Sequence, residues 1–165
     1  MAYSSTNIAN NILSRSFADK KYISLMKLQK ILYFVASEYQ KATKRSLLEE
    51  SFSAWAYGPV LYSVYDEFCS FSKYDINRYA RDARGLMLAV NEDHDITLKK
   101  TIDNVWDKTK NVSAIKLSKI TQNPNSAWDK AFQRGDTVLN PSDIGEDTTY
   151  QEDLGISSFT LTNRQ

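Results

Sequence analysis

Cys69 and His94 are the only cysteine and the only histidine among 165 residues, so nucleophilic or metal chemistry has few groups to draw on. A Cys69–His94 nucleophile pair requires the fold to bring the two together. Cys69 lies between Phe68 and Phe71 on an apolar helical pattern, where a thiol reads as a small packed hydrophobe. His94 sits in the acidic run Glu92-Asp93-His94-Asp95 ahead of a helix, the setting of a surface histidine. A metal site wants several His or Cys ligands at defined spacing, and one of each falls short. The five glycines (Gly58, Gly85, Gly135, Gly145, Gly155) are isolated, so no glycine-rich loop cradles a phosphate. The residues point to no enzyme, no metal and no cofactor.

Arg78, Arg81 and Arg84 recur at three-residue spacing with Tyr79 interleaved. On a helix they form one stripe able to contact phosphates, although a solvated face is the simpler reading. A net charge of +1 supplies no global field toward nucleic acid or membrane. The charge is unevenly placed, however. From Asp136 onward there are six acids (Asp136, Asp143, Glu146, Asp147, Glu152, Asp153) and one base, Arg164; 20 bases and 14 acids remain before them, a body of +6 against a tail of −5. That tail is either a solvated, loosely held terminus or a segment that folds over a basic surface.

The elements that carry these groups are mostly helices. Ile8, Ile12, Leu13 and Phe17 predict a helix over 5–18. Ser24 caps a long helix to about Lys44, in which Leu25, Leu28, Leu32, Val35 and Tyr39 form a stripe that Met26, Ile31, Phe34 and Ala36 widen to most of the circumference. A helix this apolar is central to its domain, with Lys27, Gln29 and Lys30 on the remaining polar side. Residues 51–57 read as extended, and Gly58-Pro59 then starts a helix with proline in its first turn, carrying Val60, Val64, Phe68 and Phe71 inward. Gly85 to Val90 is a strand candidate to pair with 51–57 in a short two-stranded β element. Helices follow from Asp95, Ser113 and Ser126, with one helical turn near Ser142. The fold class is mainly α, a single multi-helix domain around the buried helix at about 25–44.

Composition agrees with one soluble domain: 42% hydrophobic and 25% charged residues. Ten Tyr, seven Phe and three Trp suit a wet interface as well as a core. A lone cysteine fits a reducing cytosol, the first twenty residues lack the apolar stretch of a secretion signal, and no run approaches the ~20 apolar residues of a membrane span. The expected location is the cytoplasm.

The run MKLQKILYFVASEYQ, Leu47-Leu48, the stretch Phe52-Ser53-Ala54-Trp55-Ala56-Tyr57-Gly58-Pro59-Val60, and Val64-Tyr65 together resemble the Panacea domain family, which includes SocA-like antitoxins. Leu117-Ser118 and Ser126-Ala127-Trp128 are similar to its later blocks. The resemblance implies a helical domain over 1–135, followed by an acidic, irregular tail over 136–165. It implies the antitoxin of a bacterial or prophage type II toxin–antitoxin system, neutralising by direct binding a toxin encoded by a neighbouring gene. SocA-like members act instead as adaptors that hand the toxin to a Clp-type protease, and a phage-encoded inhibitor of host defence is a further reading. Some members carry an additional DNA-binding domain; nothing precedes this domain and its tail is too acidic for one, so neither nucleic-acid binding nor autorepression is expected.

Within the motif, Leu28, Ile31, Leu32, Phe52, Val60 and Val64 read as the packed centre, while Gly58 and Pro59 set the turn. Lys27, Gln29, Lys30, Tyr33, Trp55, Tyr57 and Tyr65 are polar or amphipathic groups that core packing does not demand. Either they hydrogen-bond one another to fix the turn against the long helix, or they form part of the toxin-facing surface.

Overall fold

The computed structural model describes residues 2–157; Arg164, the one base of the C-terminal stretch, lies outside them. Ser24 begins the helix on which the rest is assembled. Its hydroxyl accepts from the Lys27 N–H, and α2 (Leu25–Thr43) ends at Lys44 in the left-handed region. Leu28, Ile31, Leu32, Tyr33, Phe34 and Val35 are fully buried, so almost the whole circumference is covered. The cover comes from α1 (Ser5–Ala18), α4 (Ile96–Thr109), α5 (Ala114–Thr121) and α7 (Pro141–Glu146). Asp95, Ser113 and Ser126 cap α4, α5 and α6 (Ala127–Arg134) by accepting from the N–H three residues on, each contributing about 1 kcal/mol.

A two-stranded antiparallel sheet is present, but its partners differ from those expected. Strand β1 (Ser53–Trp55) pairs with β2 (Gly58–Val60), with Ala54 opposite Pro59. Residues 85–90 form no strand. Their backbone is bound by side chains: Asn10 joins both Ala80 backbone groups and the Leu88 carbonyl, and Asn11 joins both backbone groups of Val90. Two asparagine amides thus do what a neighbouring strand would do. Proline in β2 is tolerable because its missing N–H is needed by no partner there. Helix α3 (Tyr62–Phe68) consequently starts at Tyr62 rather than at Pro59.

Three further expectations change. Arg78, Arg81 and Arg84 lie in irregular chain, not on a helix; Arg78 pairs with Glu67 at 2.9 Å above the Phe68 and Phe71 rings, and Arg84 pairs with Asp82 at 2.9 Å. Cys69 is exposed, because α3 gives way at that residue to a 3-10 turn that rotates it outward. The segment after Gly135, expected to be irregular apart from one helical turn near Ser142, has that turn in α7 (Pro141–Glu146) and is otherwise built into the body. Thr137 and Leu139 bond to the backbone of Ala54 and Phe52, α7 and α8 (Gln151–Leu154) follow, and Leu139, Ile144, Tyr150, Leu154 and Ile156 are buried. Tyr33 donates to Asp147 at 2.5 Å, and Tyr150 donates to Glu38 with its hydroxyl 2.9 Å from that of Ser37, fixing this segment along α2. Its acids find bases nearby: Asp143 lies 3.0 Å from Arg134 and 3.9 Å from Lys130.

Among the described residues, no helix is long and apolar enough to cross a membrane.

Candidate functional site

The hairpin sits over the first turns of α2, and its carbonyls explain how it is held. Those of Trp55, Tyr57, Pro59 and Leu61 are each taken by a side chain from the body. Trp128 of α6 donates its indole N–H to Trp55 at 2.7 Å, and Ser118 of α5 donates to Tyr57. Lys30 donates to Pro59 at 3.0 Å, and Gln29 donates to Leu61 at 3.0 Å while accepting the Leu61 N–H at 2.9 Å. Trp55 and Tyr57 are held at the turn and Pro59 and Leu61 along the strand that follows it, so the hairpin is pinned to the body on both sides of its reversal.

Gly58 makes this close seating feasible. Ala56 and Tyr57 keep negative φ, and the reversal falls on Gly58 at φ +111°. A Cβ there would meet Thr121 Oγ1 at 2.5 Å and Lys30 Nζ at 3.3 Å. A side chain is therefore excluded both by conformation and by space.

With the backbone pinned, the aromatic side chains are left on the outside. Trp55 and Tyr65 meet edge to face at 5.0 Å, Tyr62 adjoins Tyr65 at 6.1 Å, and Tyr57 projects with 69% of its surface exposed. Between this rim and α2 lies a groove of about 350 Å³, lined by Leu25, Met26, Gln29, Lys30, Trp55, Tyr57, Val60, Tyr65 and Ser72. Among the described residues, no carboxylate lines it. Lys30 is 1% exposed, not on a polar face as its sequence position suggested, and burial alone pushes its amine down to about 7.

Of the residues singled out from the sequence, Gln29, Lys30, Trp55, Tyr57 and Tyr65 line this groove, and Gly58 and Pro59 form its strand edge. Lys27 and Tyr33 lie elsewhere. Lys27 donates to the Lys110 carbonyl at 2.7 Å, at the C-terminal end of α4, and burial, then Lys21, hold its amine below the usual lysine range. Tyr33 faces Asp147 in the core; burial, then that carboxylate, raise its phenol. Met26, Ser72, Thr121 and the anchoring roles of Ser118 and Trp128 were not foreseen. Leu117-Ser118 and Ser126-Ala127-Trp128 had stood out as motif blocks, but only the three-dimensional arrangement gives them a task. Cys69 and His94 do not meet in a bonded pair: the thiol contacts the Asp66 carbonyl, and His94 lies in the turn ahead of α4. No group of three or more His, Cys, Asp or Glu among the described residues could hold a metal ion.

Comparison with known proteins places this arrangement in context. The profile of the family described as "Antitoxin SocA-like, Panacea domain" matches residues 28–129, which include most of α2, the hairpin, α5 and the start of α6 with Trp128. Antitoxin SocA of Caulobacter vibrioides (strain NA1000 / CB15N) is 31% identical over 125 residues, 74% of this chain. The alignment spans 66% of that relative's own length, just short of two thirds. No solved structure matches.

Proposed function

The chain belongs to the SocA-like antitoxin family with the Panacea domain, and from that premise we propose that it neutralises a cognate toxin by direct protein–protein binding, as the antitoxin of a type II system. It acts as a binding protein and not as an enzyme. The observation that carries this reading is the aromatic rim of the groove: Trp55 and Tyr57 on the hairpin and Tyr62 and Tyr65 on α3 just after it are exposed side chains, on a segment whose backbone is anchored to the body by four side chains. Tyr and Trp offer large contact areas at low entropic cost, and anchoring removes the ordering that a mobile loop would still have to undergo.

Co-expression with the product of the neighbouring gene tests the proposal. The expected result is growth arrest by that product alone, rescue by this chain, and recovery of the two as a complex. Tyr57→Ala should weaken the complex about 30-fold, the equivalent of roughly 2 kcal/mol for an aromatic anchor, with no change in melting temperature. A neighbour that is harmless alone and does not co-purify refutes the reading.

One observation favours an adaptor as the second reading. Leu86, Met87 and Leu88 are exposed together on the asparagine-held loop, and they share no residue with the groove. An adaptor needs two surfaces, one for its cargo and one for a Clp-type protease. Under that reading toxin levels fall only in cells containing the protease; sequestration works without it.

A further inference from the structure

We propose that the groove receives a carboxylate-bearing side chain of the protein partner, an Asp or Glu flanked by apolar residues, and that Lys30 pairs with it. The proposal rests on the partner-binding reading above and names the chemistry that reading lacks.

The groove has apolar walls, and among the described residues Lys30 is the cation that lines it, buried at its floor with 1% of its surface exposed. Leu25, Met26 and Val60 line it beneath the Trp55 and Tyr65 rings, so an apolar flank finds surface to cover. Lys30 comes from α2, and among the described residues no charged neighbour shifts its amine. The hairpin presents the Pro59 carbonyl to it, and Thr121 of α5 lies beside the same Gly58 position that Lys30 approaches. An ammonium has three N–H donors, and among the described residues the Pro59 carbonyl is the acceptor Lys30 uses. Its lowered pKa has burial as its cause, with no neighbouring charge contributing. Among the described residues this is a buried amine whose protonated form has no counter-charge.

A carboxylate entering from the partner supplies both missing parts, an opposite charge and further acceptors. An opposite charge within ~4–6 Å favours the protonated amine, and apolar walls strengthen the attraction by lowering the local dielectric. A nucleic acid would place several phosphates at once and call for several cations; among the described residues the groove has one.

The test uses the full chain and two capped peptides, acetyl-Ala-Leu-Glu-Phe-Ala-amide and its Gln counterpart. Binding is followed by NMR at the Trp55 indole N–H, and the Lys30 titration by the chemical shift of its ε-carbon. The Glu peptide is expected to shift the Trp55 signal and to raise the Lys30 midpoint by more than about one pH unit. The Gln peptide should bind at least ~10-fold more weakly, a difference of about 1.4 kcal/mol. Lys30→Met should abolish the difference between the peptides. Equal binding of the two, no shift at Trp55 up to about 5 mM peptide, or an unmoved Lys30 titration overturns the proposal. Should Lys30→Met fail to fold, the two wild-type comparisons decide on their own. These readouts need no toxin, so a positive peptide result with a failed co-expression experiment sinks the antitoxin reading alone, and the reverse pair sinks this one alone.

Discussion

Replacing Lys30 by methionine should stabilise the protein at neutral pH, by an amount that shrinks as the pH rises. Burial pushes the folded-state amine from 10.5 down to about 7. Between those values the unfolded chain holds a proton that the folded chain has released, so stability increases with pH across that window. Below it both states are protonated, and the folded state carries the whole cost of a buried ammonium. A depression of about 3.5 in pKa corresponds to about 5 kcal/mol. At pH 7 the folded amine is half neutral, which leaves about 4 kcal/mol, and at pH 9 about 2 kcal/mol remains. Methionine has nearly the same length and no charge, so it escapes this cost at every pH. It also gives up the bond to the Pro59 carbonyl, a loss of about 1–2 kcal/mol that does not depend on pH. The advantage of the variant should therefore fall by about 2 kcal/mol from pH 7 to pH 9. Urea denaturation of both proteins at pH 7, 8 and 9 measures it, and other titrating groups cancel because they are common to the two. A difference that stays flat over this range refutes the reasoning, whatever its absolute size.

Two other perturbations follow from the packing. Gly58→Ala combines a left-handed φ with a 2.5 Å approach to Thr121 Oγ1, and should cost about 2–5 kcal/mol by denaturant titration. Adding Thr121→Ala should recover the steric part only, so full recovery or none contradicts the assignment. Ending the chain at Gly135 removes the buried side chains of Leu139, Ile144, Tyr150, Leu154 and Ile156. At about 1.5–3 kcal/mol each, the loss of about 8–15 kcal/mol matches the whole stability of a typical domain. The truncated chain should lose its cooperative unfolding transition, and a sharp one would show that 1–135 folds alone.

The helices were legible because their signals are local. Ser24, Asp95, Ser113 and Ser126 each stand just ahead of a helical apolar pattern, and each caps the helix it announced. What the sequence hid was long-range. Asn10 and Asn11 look like ordinary polar positions of α1, yet they serve as strand partners for backbone some 70–80 residues away. Gly85 to Val90 has the residue types of a strand, but those amides bind the backbone of Leu88 and Val90, Asp82 binds that of Gly85 and Leu86, and Leu86, Met87 and Leu88 are left exposed. The segment after Gly135 has its apolar residues too far apart to show a period, since each drops singly into a gap on α2 or beside the hairpin. Lys30 misled for a related reason: a lysine between leucines on a helix predicts an exposed face, and only the hairpin folded over it buries the amine.

That burial also separates two accounts of Lys30. Both Gln29 and Lys30 hold the hairpin, and Gln29 does so with a neutral amide that satisfies a donor and an acceptor at once. Pro59 offers a single carbonyl, which a neutral donor of similar reach would satisfy equally well. A lysine in that place brings a desolvation cost of about 4 kcal/mol at neutral pH for a bond that contributes about 1–2 kcal/mol. Turn-holding alone thus leaves the amine unaccounted for by a few kcal/mol. A partner carboxylate reverses the balance, because the same water-poor walls that make the lone ammonium costly strengthen its attraction to an opposite charge. On this reasoning the free protein is strained at Lys30 in the form that the complex would relieve. Binding would then draw a proton onto the amine, and affinity should fall as the pH is raised above 7.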